Sequence, residues 1–190
     1  MKVFVVENNY GECRPDETGW FILADSAMSN TGKPFYTPEN LGKVEVALAQ
    51  AIKVSRLGKH VAEKFAERYY DSTAPALLFS LPDYKRKLTE AGLPPDAARN
   101  FDRALVVADF LPKGDEARYE LRINDQPAAA FENEKLCRKV ENLIPELSFL
   151  NTLKMGDVIV AGMTAPLEIR PGDILEVFNG EERSFHVKVK

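Results

Sequence analysis

Cys13 and Glu45 have the clearest capacity for chemistry in this chain, and they point to different reactions. A cysteine attacks as its thiolate, and a neutral thiol with an ordinary pKa of about 8.5 is a poor general base at pH 7. Arg14, next in sequence, would favour the thiolate, but no histidine lies nearby, the two in the chain being His60 and His186. Cys13 therefore reads as a free thiol in a loop, with an activated nucleophile as the alternative. Cys137 is far away in sequence. The two cysteines form no CxxC, have no histidine at metal-ligand spacing, and are too few for a disulfide framework. Glu45 falls in an apolar run, Lys43 to Lys53, that reads as a strand. A carboxylate turned inward there is costly unless it is hydrogen-bonded or protonated, or the pocket is open to water. Lys85-Arg86-Lys87 and Glu181-Glu182 read as solvated charge, and His186 as a lone histidine on a terminal edge strand. There is no Walker loop, GxGxxG, HExxH or GxSxG.

The elements that must position these groups centre on Arg56 to Asp102. Val61, Phe65 and Tyr69 recur every four residues beside Ala62 and Ala66, which predicts an amphipathic helix. Ala76-Leu77-Leu78-Phe79, after Pro75, is apolar on both faces, as in a strand covered on both sides. Ser80 stands three residues before Asp83 with Pro82 in the first turn, a capping-box pattern, and Gly92 with Pro94 and Pro95 ends that second helix. Around this unit the sequence predicts strands at Lys2–Val6, Trp20–Ala24, Ala104–Ala108 and Arg118–Asn124, the fourth turning at Asn124-Asp125. A turn at Pro112-Lys113-Gly114-Asp115 follows the third. Asn133 is placed to cap a helix carrying Leu136, Val140, Leu143, Ile144 and Leu147 on one face, with Pro145 kinking or splitting it. A hairpin, Ile174–Phe178 and Arg183–Val189, turns at Asn179-Gly180.

The order Leu57-Gly58-Lys59, Glu63-Lys64-Phe65-Ala66 through Arg68-Tyr69-Tyr70-Asp71, a strand, a capped helix, Gly92-Leu93-Pro94 and Phe101-Asp102 resembles the fumarylacetoacetate hydrolase family in its single-domain bacterial form. The resemblance implies an α+β, predominantly β fold, a mixed β-sandwich roll with a few helices. It implies one domain over 1–190, with 1–42 divergent and shortened and 43–190 as the core. The family contains Mg²⁺- or Mn²⁺-dependent hydrolases, isomerases and decarboxylases of β-dicarbonyl and oxo-acid compounds. In that alignment Asn9 and Tyr10 end the turn after the first strand, Cys13 replaces a histidine, and Asp16 is the nearest acid. Glu45 keeps the first carboxylate of a Glu-x-Glu metal pair. Ala47 replaces the second, and Leu78 replaces the third ligand, an aspartate. Pro82 and Ala91 stand for a site arginine and a substrate lysine, Asp83 is retained, and Arg103-Ala104 replace a Gly-Ser-like pair. Thr164, in Gly162-Met163-Thr164-Ala165-Pro166, is the candidate for the substrate's carboxylate, and Lys85 a further binding candidate.

One remaining carboxylate cannot anchor a hard divalent cation, so the expectation is a lost metal site, no cofactor and lost classical activity. The chain would then bind a small oxo acid or act as a partner subunit, as a homodimer or as a heterodimer with a paralogue. The alternative is an active C–C bond hydrolase, tautomerase or oxaloacetate decarboxylase-like enzyme with a rebuilt site, drawing on Glu45, Asp16 or Cys13. At 190 residues, 45% of them hydrophobic, the chain can bury a core. A net charge of −4 argues against nucleic-acid or anionic-membrane partners. The short apolar start, ended by Glu7, and the lack of any long apolar run lead to the expectation of a cytoplasmic protein.

Overall fold

The computed structural model describes residues 1–114 and 117–190. The chain is predominantly β, with two sheets and a few short helices among the described residues. The larger sheet runs β2 (Gly19–Leu23), β1 (Val3–Glu7), β10 (Val158–Met163), β4 (Val44–Val54), β5 (Tyr70–Ser80), β6 (Leu105–Val107) and β3 (Met28–Asn30). Two short strands add to it, β7 (Leu111–Pro112) on β5 and β11 (Leu167–Ile169) on β4. The sheet is mixed: β1 is parallel to β10 and β3 to β6, whereas β4 and β5 are antiparallel along their whole length. The smaller sheet is an antiparallel stack of β13 (Glu182–Lys188), β12 (Ile174–Asn179), β8 (Arg118–Ile123) and β9 (Gln126–Glu132).

Alternation along β1 shows how the layers form. Successive strand side chains point to opposite faces. Val3 and Val5 join the core between the two sheets, where Leu48, Phe79, Leu121, Phe131 and Val177 also pack. Phe4 and Val6 join a second core on the other face, against Val140, Leu143, Ile144 and Leu147 of α3 (Val140–Leu150). A strand buried on both faces reads as a continuous apolar run, and β1 and the middle of β5 both do. Phe35, in the extended Lys33–Pro38 segment, is 1% exposed and stacks on Phe79 with ring centroids 3.9 Å apart.

Several expectations change. The helix expected through Val61, Phe65 and Tyr69 is a single turn, α1 (Glu63–Ala66), followed by a 3₁₀ turn at Glu67–Tyr69. Strand pairing takes over, because β5 begins at Tyr70 to match the length of β4, and Phe65 is left 41% exposed beneath the Lys64 and Arg68 cations. The second helix, α2 (Pro82–Glu90), has no side-chain cap. Ser80 is the last residue of β5, and the Asp83 carboxylate instead accepts the Lys43 backbone N–H and pairs with Arg86, both at 3.0 Å. Asn133 opens a 3₁₀ turn, and α3 starts later and runs through Pro145 without splitting. Strand β9 was not anticipated: Pro127 and the alanines after it carry a weak strand signal, and pairing with β8 supplies what propensity lacks. Asp115, in the turn expected after β7, lies outside the described residues. No helix is long and apolar enough to cross a membrane among the described residues.

Phe79 is fully buried, so truncating it removes both its transfer free energy and the Phe35 stack. Phe79→Ala is expected to lower the unfolding free energy by about 3–5 kcal/mol, read from denaturant midpoints. A loss below ~1 kcal/mol would contradict the packing described.

Candidate functional site

The register between β4 and β5 builds the floor of a cleft. Glu45 lies opposite Ser80 and Ala47 opposite Leu78, so these four side chains share one face, and all four line a cavity of about 670 Å³. Helix α2 forms one wall. Its cleft-facing residues are Pro82, Lys85, Arg86, Thr89 and Glu90, the i, i+3, i+4, i+7, i+8 pattern of a single helix face. On other sides of α2, Tyr84 and Leu88 pack against the core. The basic run is therefore divided: Lys85 and Arg86 reach the cleft, and Lys87 does not. This corrects the reading of that run as wholly solvated charge.

The opposite wall is the turn after β1, Glu7 to Tyr10. Asn9 is 1% exposed, and its amide is fully used: Nδ2 donates to the Arg138 and Ala161 carbonyls at 2.9 and 2.7 Å, and Oδ1 accepts the Arg138 N–H at 2.8 Å. Tyr10 stacks on Phe131. Its hydroxyl donates to the Ala130 carbonyl and accepts the Glu132 N–H, each at 3.0 Å, and burial pushes its pKa up, keeping it neutral. Thr164 is 7% exposed; its Oγ1 accepts the Leu48 N–H at 3.1 Å and donates to the Ala165 carbonyl at 3.3 Å. All three line the cleft, with their polar ends turned to the backbone, where they hold its walls in place.

The cleft has six ionisable carboxylates and cations, and most are matched. Glu7 pairs with Arg99 at 2.8 Å, and the Arg99 guanidinium lies 3.6 Å from the centroid of the Phe21 ring. Arg86 pairs with Asp83 at 3.0 Å and approaches Glu90 at 4.0 Å. Among the described residues the Glu45 carboxylate and the Lys85 ammonium, which both line the cleft, have no hydrogen-bonding or ionic partner. Glu45 is half-buried and faces water through the cleft, the arrangement in which an inward carboxylate is tolerable. Glu168 lies opposite Glu45 across β11 and β4. Hydrogen bonds from Lys43, at 2.6 Å, and from Arg170 hold the Glu168 carboxyl below its usual pKa, so its charge is already compensated.

The remaining sequence candidates fall elsewhere. Cys13 is neither a free thiol nor a nucleophile: it is joined to Cys137, with Cα atoms 6.2 Å apart across 124 residues of sequence. Asp16 is exposed in the short turn Pro15–Glu17, and Ala91 caps the end of α2; neither lines the cleft. The disulfide was illegible because nothing in linear order brings residue 13 to residue 137. The tertiary contact does so: Gly11 N–H bonds to the Lys135 carbonyl, and Cys137 N–H to that of Asn9. Glu7, Phe21 and Arg99 were also missed, and only their opposite charges and the aromatic residue between them in sequence hinted at the cluster.

A divalent cation of the kind the resemblance implies needs several hard oxygen ligands. Around Glu45 the floor offers Ala47, Leu78 and the Ser80 hydroxyl. Among the described residues no group of three or more His, Cys, Asp or Glu is placed to hold a metal ion. This donor set does not fit such an ion.

The family model described as fumarylacetoacetate (FAA) hydrolase C-terminal matches residues 6–180. The chain belongs to this family. Among curated proteins it is similar to oxaloacetate tautomerase YcgM of Escherichia coli (strain K12), 26% identical over 203 residues that cover 98% of this chain and 92% of that protein. It is also similar to the mitochondrial oxaloacetate tautomerase FAHD1 of Bos taurus, 24% identical over 78% of this chain and 69% of that protein. Among solved structures, fumarylpyruvate hydrolase from Pseudomonas aeruginosa in complex with Mn²⁺ and pyruvate superposes with a TM-score of 0.90 at 17% identity. That match covers 100% of this chain and 89% of that one, and at this identity it speaks for the fold.

Two stability tests follow from the walls. Asn9→Ala leaves the Arg138 and Ala161 backbone groups without partners and is expected to cost about 2–4 kcal/mol, with a matching fall in Tm; an unchanged Tm would mean the amide is dispensable. Reducing the Cys13–Cys137 bond is expected to cost about 2–5 kcal/mol. Two thiols titrating in the unreduced native protein would show that the pair is not formed.

Proposed function

We propose that this chain is an enzyme that interconverts the keto and enol forms of a small 2-oxo acid, using Glu45 as the proton carrier and no resident divalent ion. The observation that carries this reading is the pair of unsatisfied charges on one cleft, Glu45 on the floor and Lys85 on the α2 wall. The similarity to curated oxaloacetate tautomerases, over 98% of this chain for one and 78% for another, supports the reaction class.

The chemistry balances without another reactant. The Glu45 carboxylate takes a proton from C3 of the keto acid, the C2–C3 double bond forms, and the carbonyl oxygen becomes the enol oxygen after taking a proton from water at the cleft mouth. The reverse reaction uses the same groups in the opposite direction, and Glu45 returns its proton to solvent or to C3. Lys85 holds the substrate carboxylate and the adjacent carbonyl oxygen, whose negative charge grows as the proton leaves. A fixed cation at that point stabilises the transition state more than the ground state.

A second reading, closer to the loss of activity expected from the sequence, is a member that binds such a ligand without converting it or that serves as the partner of an active paralogue. The structural engagement of Asn9, Tyr10 and Thr164 supports it, since their polar ends are committed to the backbone.

Ultraviolet absorbance of the enol separates the two. Purified protein with a chelator present is expected to accelerate ketonisation of an enol oxo acid. Glu45→Gln should lower kcat by about 10²–10⁴-fold, and Lys85→Ala should lower kcat as well as raise KM, each by about 10-fold. Activity abolished by the chelator, or unaffected by Glu45→Gln, sinks the tautomerase reading. Binding without turnover favours the second.

A further inference from the structure

We infer that the patch of cleft floor formed by Ala47 and Leu78 is an apolar subsite, so that the substrate is a 2-oxo acid with one carboxylate and an alkyl or aryl group on C3. This deepens the proposed function and rests on it for the position of the reacting carbon near Glu45. Two independent observations support it.

The first is the charge arrangement. Of the cations facing the cleft, Arg99 is held by Glu7 and Arg86 by Asp83 and Glu90, which leaves Lys85 as the one unmatched positive group among the described residues. One free cation satisfies one carboxylate. A second carboxylate on the ligand would meet the unpartnered Glu45 carboxyl group or the apolar side chains of Ala47 and Leu78, where the neutral Ser80 hydroxyl is the donor on the floor and no cation stands beside it. Like charges at close range in a partly enclosed cleft oppose binding.

The second is the chemistry of the floor. Ala47 and Leu78 are cross-strand partners on the face that carries Glu45; they are 4% and 7% exposed, and both line the cleft. Phe21, Ala98, Met163 and Pro166 extend the apolar lining around them. A small aliphatic side chain beside a larger one leaves room at residue 47, and Met163 is an adaptable apolar wall. A cavity of about 670 Å³ is roomy enough for an oxo acid bearing a ring. Moving such a group from water onto this floor gains affinity in proportion to the apolar area covered. Enolisation benefits as well, because an aryl group on C3 conjugates with the new double bond.

Calorimetric titration of the full-length protein with phenylpyruvate, 4-methyl-2-oxopentanoate, pyruvate and oxaloacetate tests this directly, since binding is read without turnover. Phenylpyruvate is expected to bind about 10- to 100-fold more tightly than pyruvate, with 4-methyl-2-oxopentanoate between them and oxaloacetate no tighter than pyruvate. Ala47→Met, which fills the subsite with an apolar side chain and should fold, is expected to shrink the phenylpyruvate-to-pyruvate ratio below about threefold. Leu78→Asn serves as a second variant in the same direction, with Tm as the control for folding. Oxaloacetate binding more tightly than phenylpyruvate, or a ratio untouched by Ala47→Met in folded protein, overturns the inference. Oxaloacetate preference with Glu45-dependent turnover would sink the subsite and leave the tautomerase reading standing. Phenylpyruvate preference with no enolisation would do the opposite, and failure of all four to bind at millimolar concentration overturns both.

Discussion

Strands β4 and β5 pair antiparallel without interruption from Glu45 opposite Ser80 to Lys53 opposite Ser72, and that register determines what the cleft is made of. Side chains alternate between faces along a strand, so a slip of one residue would exchange the whole floor. Glu45 would then point into the core between the sheets, where Val44, Val46 and Phe79 now pack. The register is held because both faces are buried for most of its length and because β10, β11 and β6 pair along the outer edges. The short helix α2 depends on it too. It leaves the end of β5 at a fixed point, and Asp83 ties it back to the start of β4 through the Lys43 N–H. Gly42 makes that approach possible: its φ is +85°, and a Cβ there would lie 2.6 Å from an Asp83 carboxylate oxygen.

The second wall depends on a different kind of constraint. The turn after β1 meets the chain at Leu136 through an isolated antiparallel bridge at Tyr10, and it is further anchored by the Asn9 amide, the Tyr10 hydroxyl and the Cys13–Cys137 bond, which reach the segment between β9 and α3 or its neighbours. Polar groups that a family resemblance assigns to ligand binding act here as fasteners. A buried amide that makes three hydrogen bonds to backbone cannot give them up to a ligand cheaply. What the scaffold leaves available for a ligand includes Glu45, Lys85, the Ser80 hydroxyl and the apolar floor. With Ala47 and Leu78 on the floor, the cleft presents an apolar surface beside the unpartnered Glu45 and Lys85 side chains.

Much of the architecture was legible in order along the chain. The strand at Lys43–Lys53, the half-buried Arg118–Ile123 strand and the Asn179-Gly180 hairpin each carry a local pattern strong enough to survive tertiary packing. The helix around Phe65 did not survive, because its 3.6-residue pattern competed with the extension of β5 beside β4, and paired backbone over eleven residues outweighs a marginal short helix. Strand β9 was missed for the converse reason, its alanines being neutral until β8 lies beside them.

Sequence alone determined the family, the predominance of β structure and the identity of the residues on the floor, because these follow from motif order and from alternation along single strands. It also singled out Glu45, whose position in an apolar strand required an explanation. Tertiary structure alone decided which charges are spent and which are free. Lys85 is separated from the solvated run around it by the pitch of α2, Arg99 is neutralised by Glu7 from the other end of the cleft, and Cys13 is consumed by a partner 124 residues away. Such pairings depend on distance in space, and at long sequence separation no local pattern encodes that distance.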